Sequence, residues 1–249
     1  VSEEAPLVGR RAVLEALRAG RPLVRILLSR TARVRGPLGE ILREARARHV
    51  PVQPVDPRRL DALSQGIPHQ GVVALGAVQP LVELQDLLRR AREKEEDPVL
   101  VALDGVEDPR NLGAIIRTAE AAGAHGVIVP RRRAVGLTPA VARAAAGATA
   151  YLPVAGVGSL ADALLRLRDE GLQVVGADPG AEEPYDSGAL VPPIVLVLGG
   201  EGRGLHRLVR DRCDRLVRIP LHGRVQSLNV SVAAALLLYE VARHRARRA

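Results

Sequence analysis

The sequence predicts an α/β protein in two parts: a carboxyl-terminal domain on a doubly wound parallel sheet, preceded by a smaller α/β domain. Three observations predict it. Residues 99–249 alternate short Val- and Ile-rich runs with helical patterns, as strands buried on both faces and their crossover helices do. Phe, Trp and Met are absent and Tyr occurs three times, so the core must be Leu, Val, Ile and Ala; that suits a helix-covered sheet better than a sandwich with aromatic anchors. A charged amphipathic stretch, LQDLLRRAREKEED, separates the two parts as a linker helix within 79–98.

In residues 1–78, GRRAVLEALRAG reads as a helix with Val13, Leu14 and Leu17 on one face and Gly20 as its stop. A strand VRILLS, a helix LGEILREARARHV, the extended VPVQPV and a strand in HQGVVALG follow. Beyond the linker, PVLVALDG, HGVIVP, LQVVGAD, PIVLVLGG and RLVRIPL read as strands. NLGAIIRTAEAAG, TPAVARAAAGA, ADALLRLRDEG, LHRLVRDRC and QSLNVSVAAALLLYE read as helices. A sheet of this kind binds its ligand beyond the carboxyl ends of the strands.

The net charge is +8, and Lys94 is the one lysine among 36 basic Lys and Arg residues. Arg suits planar, bidentate contacts to phosphate, so the balance points to a nucleic-acid partner; scarce Asn, Met and Cys also fit adaptation to heat. Residues 1–78 hold 13 Arg against 7 acidic residues, and the arginines at 10, 11, 18, 21 and 25 are candidates for tracking phosphates. Cys213 is alone, which excludes a disulfide framework and a cysteine zinc site, and no metal is expected. No signal-peptide pattern opens the sequence, and the longest apolar run, around Val230–Tyr239, is short of the roughly 20 residues of a membrane span. The chain reads as cytoplasmic.

Three loops at strand ends carry the polar chemistry. In DGVEDPRNLGAIIRTAEAAG, Asn111 precedes a helix as a possible N-cap, and Arg117 follows six positions on. In VLVLGGEGRGL, glycines flank Glu201, a charge that contributes nothing to a core; Leu205 stands where a dinucleotide fingerprint needs Gly, and no Gly-Lys pair supplies a P-loop. In RIPLHGRVQSLNVS, Ser227 reads as a plain N-cap, whereas Asn229 is harder to dismiss. Asn occurs only at 111 and 229, and both lie in these loops, which favours a functional pair.

Together, DPRNLGAIIRTAEAAG, LVLGGEGRGL and IPLHGRVQSLNVSVAAALLLYE resemble the three motifs of the SpoU (TrmH-type) class of SPOUT RNA methyltransferases. The amino-terminal part, with IPHQGVVAL, resembles the small L30e-like RNA-binding domain of bacterial members that methylate ribosomal RNA. The resemblance implies domains at 1–78 and 99–249 and a deep trefoil knot near the carboxyl terminus, an exception to ordinary connection rules. It also implies S-adenosyl-L-methionine as methyl donor, held by Gly199, Ile219 and Leu228 with a contribution from 175–177, and a homodimer packed through the last helix and the first motif. Asn111, Arg117, Glu201, Ser227 and Asn229 match the family's catalytic positions. Arg117 matches the family's usual candidate for general base, yet a guanidinium is effectively always protonated, so holding a phosphate is the rival role.

The expected reaction is 2′-O-methylation of a ribose in RNA, with a guanosine of 23S rRNA in the peptidyl-transferase region as the target. The alternatives are a tRNA ribose methyltransferase, a resistance-type rRNA adenosine methyltransferase, or a catalytically silent RNA-binding assembly protein.

Overall fold

The computed structural model describes residues 4–21, 23–64, 66–77, 80–131, 136–224 and 227–247. Two compact units emerge: one holds the chain up to Pro80 together with Leu137–Tyr151, the other holds the rest. Val78 and Gln79, where the sequence reading ends the first domain, lie outside the described residues.

The first unit runs β1 (Glu4–Val8), α1 (Arg10–Arg18), β2 (Leu23–Ser29), α2 (Pro37–Ala47), β3 (Val52–Val55), α3 (Pro57–Ser64) and β4 (Val72–Ala77). Its sheet has the order β1-β4-β2-β3, with β4 antiparallel to both neighbours and β2 parallel to β3. Strand alternation splits the core in two. Ile26, Val72 and Ala74 pack with Val13, Leu14 and Leu17 of α1 and Leu38 and Ile41 of α2. Leu27, Val73 and Leu75 pack on the other face with Val55 and Leu60. The sequence does not announce β1 or α3: β1 is a short strand at the sheet's end containing Pro6, a residue such edge positions tolerate, and α3 buries only Leu60 and Ser64.

The chain continues through α4 (Leu84–Glu93), β5 (Val99–Asp104), α5 (Pro109–Ala121) and β6 (Gly126–Pro130), then α6 (Pro139–Ala144) and a 3-10 turn (Ala148–Ala150). It ends with β7 (Val154–Val157), α7 (Leu160–Asp169), β8 (Gln173–Ala177), β9 (Glu183–Pro184), β10 (Ile194–Gly199), α8 (Arg207–Arg210), β11 (Arg215–Arg218) and α9 (Val230–Ala246). The α6 strip belongs to the first unit. Ala142 joins that unit's core, buried Arg21 donates to Thr149 Oγ1 at 3.3 Å, and the Tyr151 hydroxyl bonds Glu15. Arg21 is therefore a structural residue and tracks no phosphate.

The second unit is the expected parallel sheet, in the order β7-β6-β5-β10-β8-β11-β9, with every pairing parallel. All six positions of β5 are buried, as is β10 up to Leu198, which is why these strands read as unbroken aliphatic runs. The chain runs outward from β5 to β6 and β7, then returns to lay β8 and β10 on the opposite side. That reversal lies beside β5, and α5 and α9 pack against each other there. Among the described residues, no helix is long and apolar enough to cross a membrane.

Candidate active site

A cleft of about 720 Å³ opens beyond the carboxyl ends of β8, β10 and β11. Gly199, Ile219, Ser227 and Leu228 line it, together with Leu198, Ala177 and the Glu201 loop. Of the three residues 175–177, Ala177 alone reaches the cleft; Val175 is buried within the sheet. Two glycines have a steric reason. A Cβ on Gly199 would collide with the backbone of Gly204, and one on Gly200 with the carbonyl of Gly105. Without those side chains the turn closes on itself, with Gly204 N–H donating to Gly200 O at 3.1 Å and Gly200 N–H donating to Asp104 O at 2.8 Å. The volume lies in the range of small-molecule sites, and the lining is largely aliphatic with glycine backbone, a chemistry that fits a nucleoside-like cofactor held through backbone groups.

At the edge of this cleft the three loops meet in one hydrogen-bonded network. Asp108, not Asn111, caps α5: its side chain accepts from Arg110 N–H at 2.8 Å, and Pro109 follows in the first turn. Asn111 is thereby free, and it is buried. Its amide donates to Glu201 Oε1 at 2.8 Å. Asn229 donates its own amide to Asn111 Oδ1 at 3.0 Å and to Glu201 Oε1 at 2.9 Å. Its Oδ1 accepts from Ser231 N–H at 2.9 Å, so Asn229, rather than Ser227, is the N-cap of α9. Capping and bridging are one arrangement: the acceptor end holds the helix and the donor end holds the network.

Ser227 lies exposed in the cleft wall two residues before that cap. Its neighbours Val225 and Gln226 lie outside the described residues. Arg117 stands on the exposed side of α5 without a hydrogen bond or ion pair among the described residues, and it does not line the cleft. The structure thus joins Asn111, Glu201 and Asn229, puts Ser227 beside the cleft, and leaves Arg117 apart.

Two carboxylates that sequence reasoning missed fix the same loop from both sides of β10. Buried Asp104, at the end of β5, accepts from His206 N–H at 2.7 Å and lies 3.0 Å from His206 Nδ1. Asp178, just after β8, accepts from Arg210 Nε at 2.7 Å and from Gly180 N–H at 2.8 Å. Burial pushes the Asp178 carboxyl up, but the Arg210 and Gly180 hydrogen bonds and the Arg210 charge outweigh it and hold it below its usual value. The two carboxylates hold the start and end of α8, the segment that follows the glycine turn. The available signal was an Asp placed just after a predicted strand, twice. Cys213 is not part of the chemistry: burial first, then nearby Asp214 and Asp104, push its thiol up to about 12, far from a reactive thiolate. Among the described residues, no group of His, Cys, Asp and Glu is placed to hold a metal ion.

Comparison with known proteins agrees with this geometry. Residues 98–239 match the SpoU rRNA Methylase family, and residues 6–77 match the RNA 2′-O ribose methyltransferase substrate-binding family. A Bacillus subtilis protein bearing the name TrmH family tRNA/rRNA methyltransferase YacO is 44% identical over 96% of this chain and 95% of its own. Among solved structures, the SpoU methyltransferase AviRb from Streptomyces viridochromogenes, in complex with the cofactor AdoMet, is similar with a TM-score of 0.82 at 29% identity, over 98% of this chain and 91% of that one. An AdoMet-bound rRNA methyltransferase from Sinorhizobium meliloti is similar with a TM-score of 0.81 at 28% identity, covering 97% and 88%. The glycine-walled cleft, the three-loop network and these matches lead to one conclusion: the chain belongs to the SpoU family of RNA methyltransferases.

Proposed function

We propose that this protein transfers a methyl group from S-adenosylmethionine to a ribose 2′-hydroxyl of RNA, and that its target is a guanosine of 23S rRNA in the peptidyl-transferase region. The observation that carries the reading is the meeting of Asn111, Glu201 and Asn229 at the cleft, which supports one site built from three sequence-distant loops. S-adenosylmethionine, when bound, supplies an electrophilic methyl on a sulfonium; Gly199, Ile219 and Leu228 are the residues that would hold it. The residues 1–78, with the Leu137–Tyr151 strip that completes their unit, serve as the RNA-binding part, and the rest of 99–249 as the catalytic part. The surroundings of the target favour the cytoplasm.

A ribose hydroxyl is a weak nucleophile, so the chain must place its oxygen in line with the methyl and help its proton leave. The Asn111–Glu201–Asn229 network holds the three loops in register, and Ser227 orients the ribose in the cleft. Arg117 is the residue we assign to the substrate. Its guanidinium is exposed and offers a fork of N–H donors, so it holds the phosphate next to the target ribose and favours the developing alkoxide. The separation of Arg117 from the cleft supports a homodimer in which α9 packs on a second copy. An apolar stripe on α9 at Val232, Leu236 and Tyr239, 38–55% exposed, supports the same arrangement.

The test is to incubate the protein with labelled S-adenosylmethionine and with rRNA and tRNA from cells lacking it, and to map alkali-resistant linkages. One ribose-methylated guanosine in 23S rRNA is expected. Label in a base, in tRNA or at an adenosine overturns the assignment.

A further inference from the structure

The first unit's arginines are not used as their order in the sequence implies. Arg21 is buried against Thr149, Arg18 pairs with Glu40 at 2.9 Å, and Arg10 donates to Gln70 O at 3.0 Å. The side chains without a hydrogen bond or ion pair among the described residues include Arg11, Arg30, Arg33, Arg35, Arg58 and Arg59, all exposed. The strand register brings these six to one edge of the sheet. Val8 pairs with Val73, Leu28 with Val72, and Ser29 with Val55, so the ends of β1, β2 and β3 and the start of β4 lie side by side. The backbone ties the loops together there: Ser29 N–H donates to Gly71 O at 2.9 Å, Arg30 N–H to Val55 O at 3.0 Å, and Gly9 N–H to Val72 O at 3.2 Å. The acids at this edge are Asp56, which accepts from Arg58 N–H, and Asp61, which lies 3.1 Å from His69. A cavity of about 240 Å³ adjoins the edge, lined by Arg10, Arg11, Gln70 and Arg143 among others.

We infer that this edge, centred on the Arg30–Arg35 loop and extending to Arg11 and Arg58–Arg59, grips the phosphate backbone of folded RNA. The inference rests on reading the chain as an enzyme that acts on RNA. Six guanidiniums with no acceptor among the described residues form a surface for bidentate contact to phosphates. Single-stranded RNA is usually held by stacking bases on aromatic rings, and the first unit has one aromatic residue, Tyr151, whose hydroxyl is already engaged by Glu15. What remains is recognition by charge and shape, which suits closely spaced phosphates across a helical groove. The cavity at Arg10 and Arg11 is smaller than a typical cofactor site.

The experiment measures binding of a labelled hairpin RNA and of oligouridine to the full chain across a salt series. The variants are the triple Arg30→Gln, Arg33→Gln, Arg35→Gln and a control double Arg43→Gln, Arg46→Gln, two exposed arginines on α2 away from the edge. The triple variant is expected to bind the hairpin roughly tenfold more weakly and to lose about 2 from the log–log salt slope, while the control changes little. Equal losses in both variants, or an unchanged triple variant, overturn the site. Tighter binding of oligouridine than of the hairpin overturns the preference for folded RNA. S-adenosylmethionine binding is measured by calorimetry on the same samples. Its absence in the wild type would sink the methyltransferase reading, whereas normal cofactor binding with unaffected hairpin binding in the triple variant would sink this inference alone.

Discussion

The side-chain amide of Asn229 donates simultaneously to Asn111 and to Glu201, at 3.0 and 2.9 Å, while its oxygen caps α9. The two ends of one side chain can therefore be separated by substitution. Asn229→Ser keeps a good N-cap and removes the bridge. We expect unfolding free energy to stay within about 1 kcal/mol of wild type and methyl transfer to fall at least about tenfold. Denaturant melts beside initial rates make the comparison, and a loss of stability with an unchanged rate would leave only the cap.

Arg117 is exposed and unpaired among the described residues, so its removal should disturb little of the fold. Arg117→Ala is expected to change stability by no more than about 0.5 kcal/mol and to leave cofactor binding intact while reducing turnover at least ~100-fold. Calorimetric titration with S-adenosylmethionine and single-turnover methylation test it. Near-normal turnover removes Arg117 from the mechanism.

Val232 is an apolar side chain on α9 that is 48% exposed. A carboxylate there meets water in an isolated chain but would be buried against a second copy. Val232→Glu should therefore convert a dimer to a monomer in sedimentation, with circular dichroism unchanged. A wild-type protein that sediments as a monomer refutes the proposed assembly.

His125 is fully buried, and its Nδ1 accepts from Val99 N–H at 3.1 Å. Nε2 therefore carries the hydrogen; it sits 3.2 Å from Glu96 Oε2 but is too poorly aligned for a hydrogen bond. Burial lowers the imidazole below its usual value, and the charges of Arg245 and Lys94 add to that, against the opposing pull of Glu96. A depressed folded-state value means the unfolded chain takes up the proton first. The stability contributed by neutral His125 is thus present above about pH 6.5 and is lost as pH falls through the folded-state value. Melting temperature should decline below about pH 6.5, and His125→Gln should flatten that part of the profile. An identical profile in the variant rules His125 out as the source.

The parallel sheet was legible because strands buried on both faces must be aliphatic throughout, as β5 and β10 are. The pairing of Asn111 with Asn229 was legible for a different reason: rarity made two capping explanations harder to accept than one site. The caps themselves were misread. Asp108 and Asn229 outcompete Asn111 and Ser227 because a cap's place depends on where helical backbone begins, which polar residues a few positions apart do not fix. The Asp104 and Asp178 contacts were illegible because their partners, His206 and Arg210, are remote in sequence. The same holds for the arginines, since only the strand register shows that Arg30 and Arg58 share an edge while Arg21 is enclosed.

The strip Leu137–Tyr151 completes the first unit although it is encoded far downstream. During synthesis, a chain released only as far as Pro80 has its sheet but not Ala142 or the Thr149 acceptor for Arg21. At about 5–20 residues per second, ribosomes need roughly 4–14 s more to deliver that strip. As a nascent fragment the smaller unit therefore lacks part of its core and one buried hydrogen bond, and a gene cut after residue 80 leaves those contacts behind. Its order of birth and its order of completion differ, and any fusion that borrows it must carry both pieces.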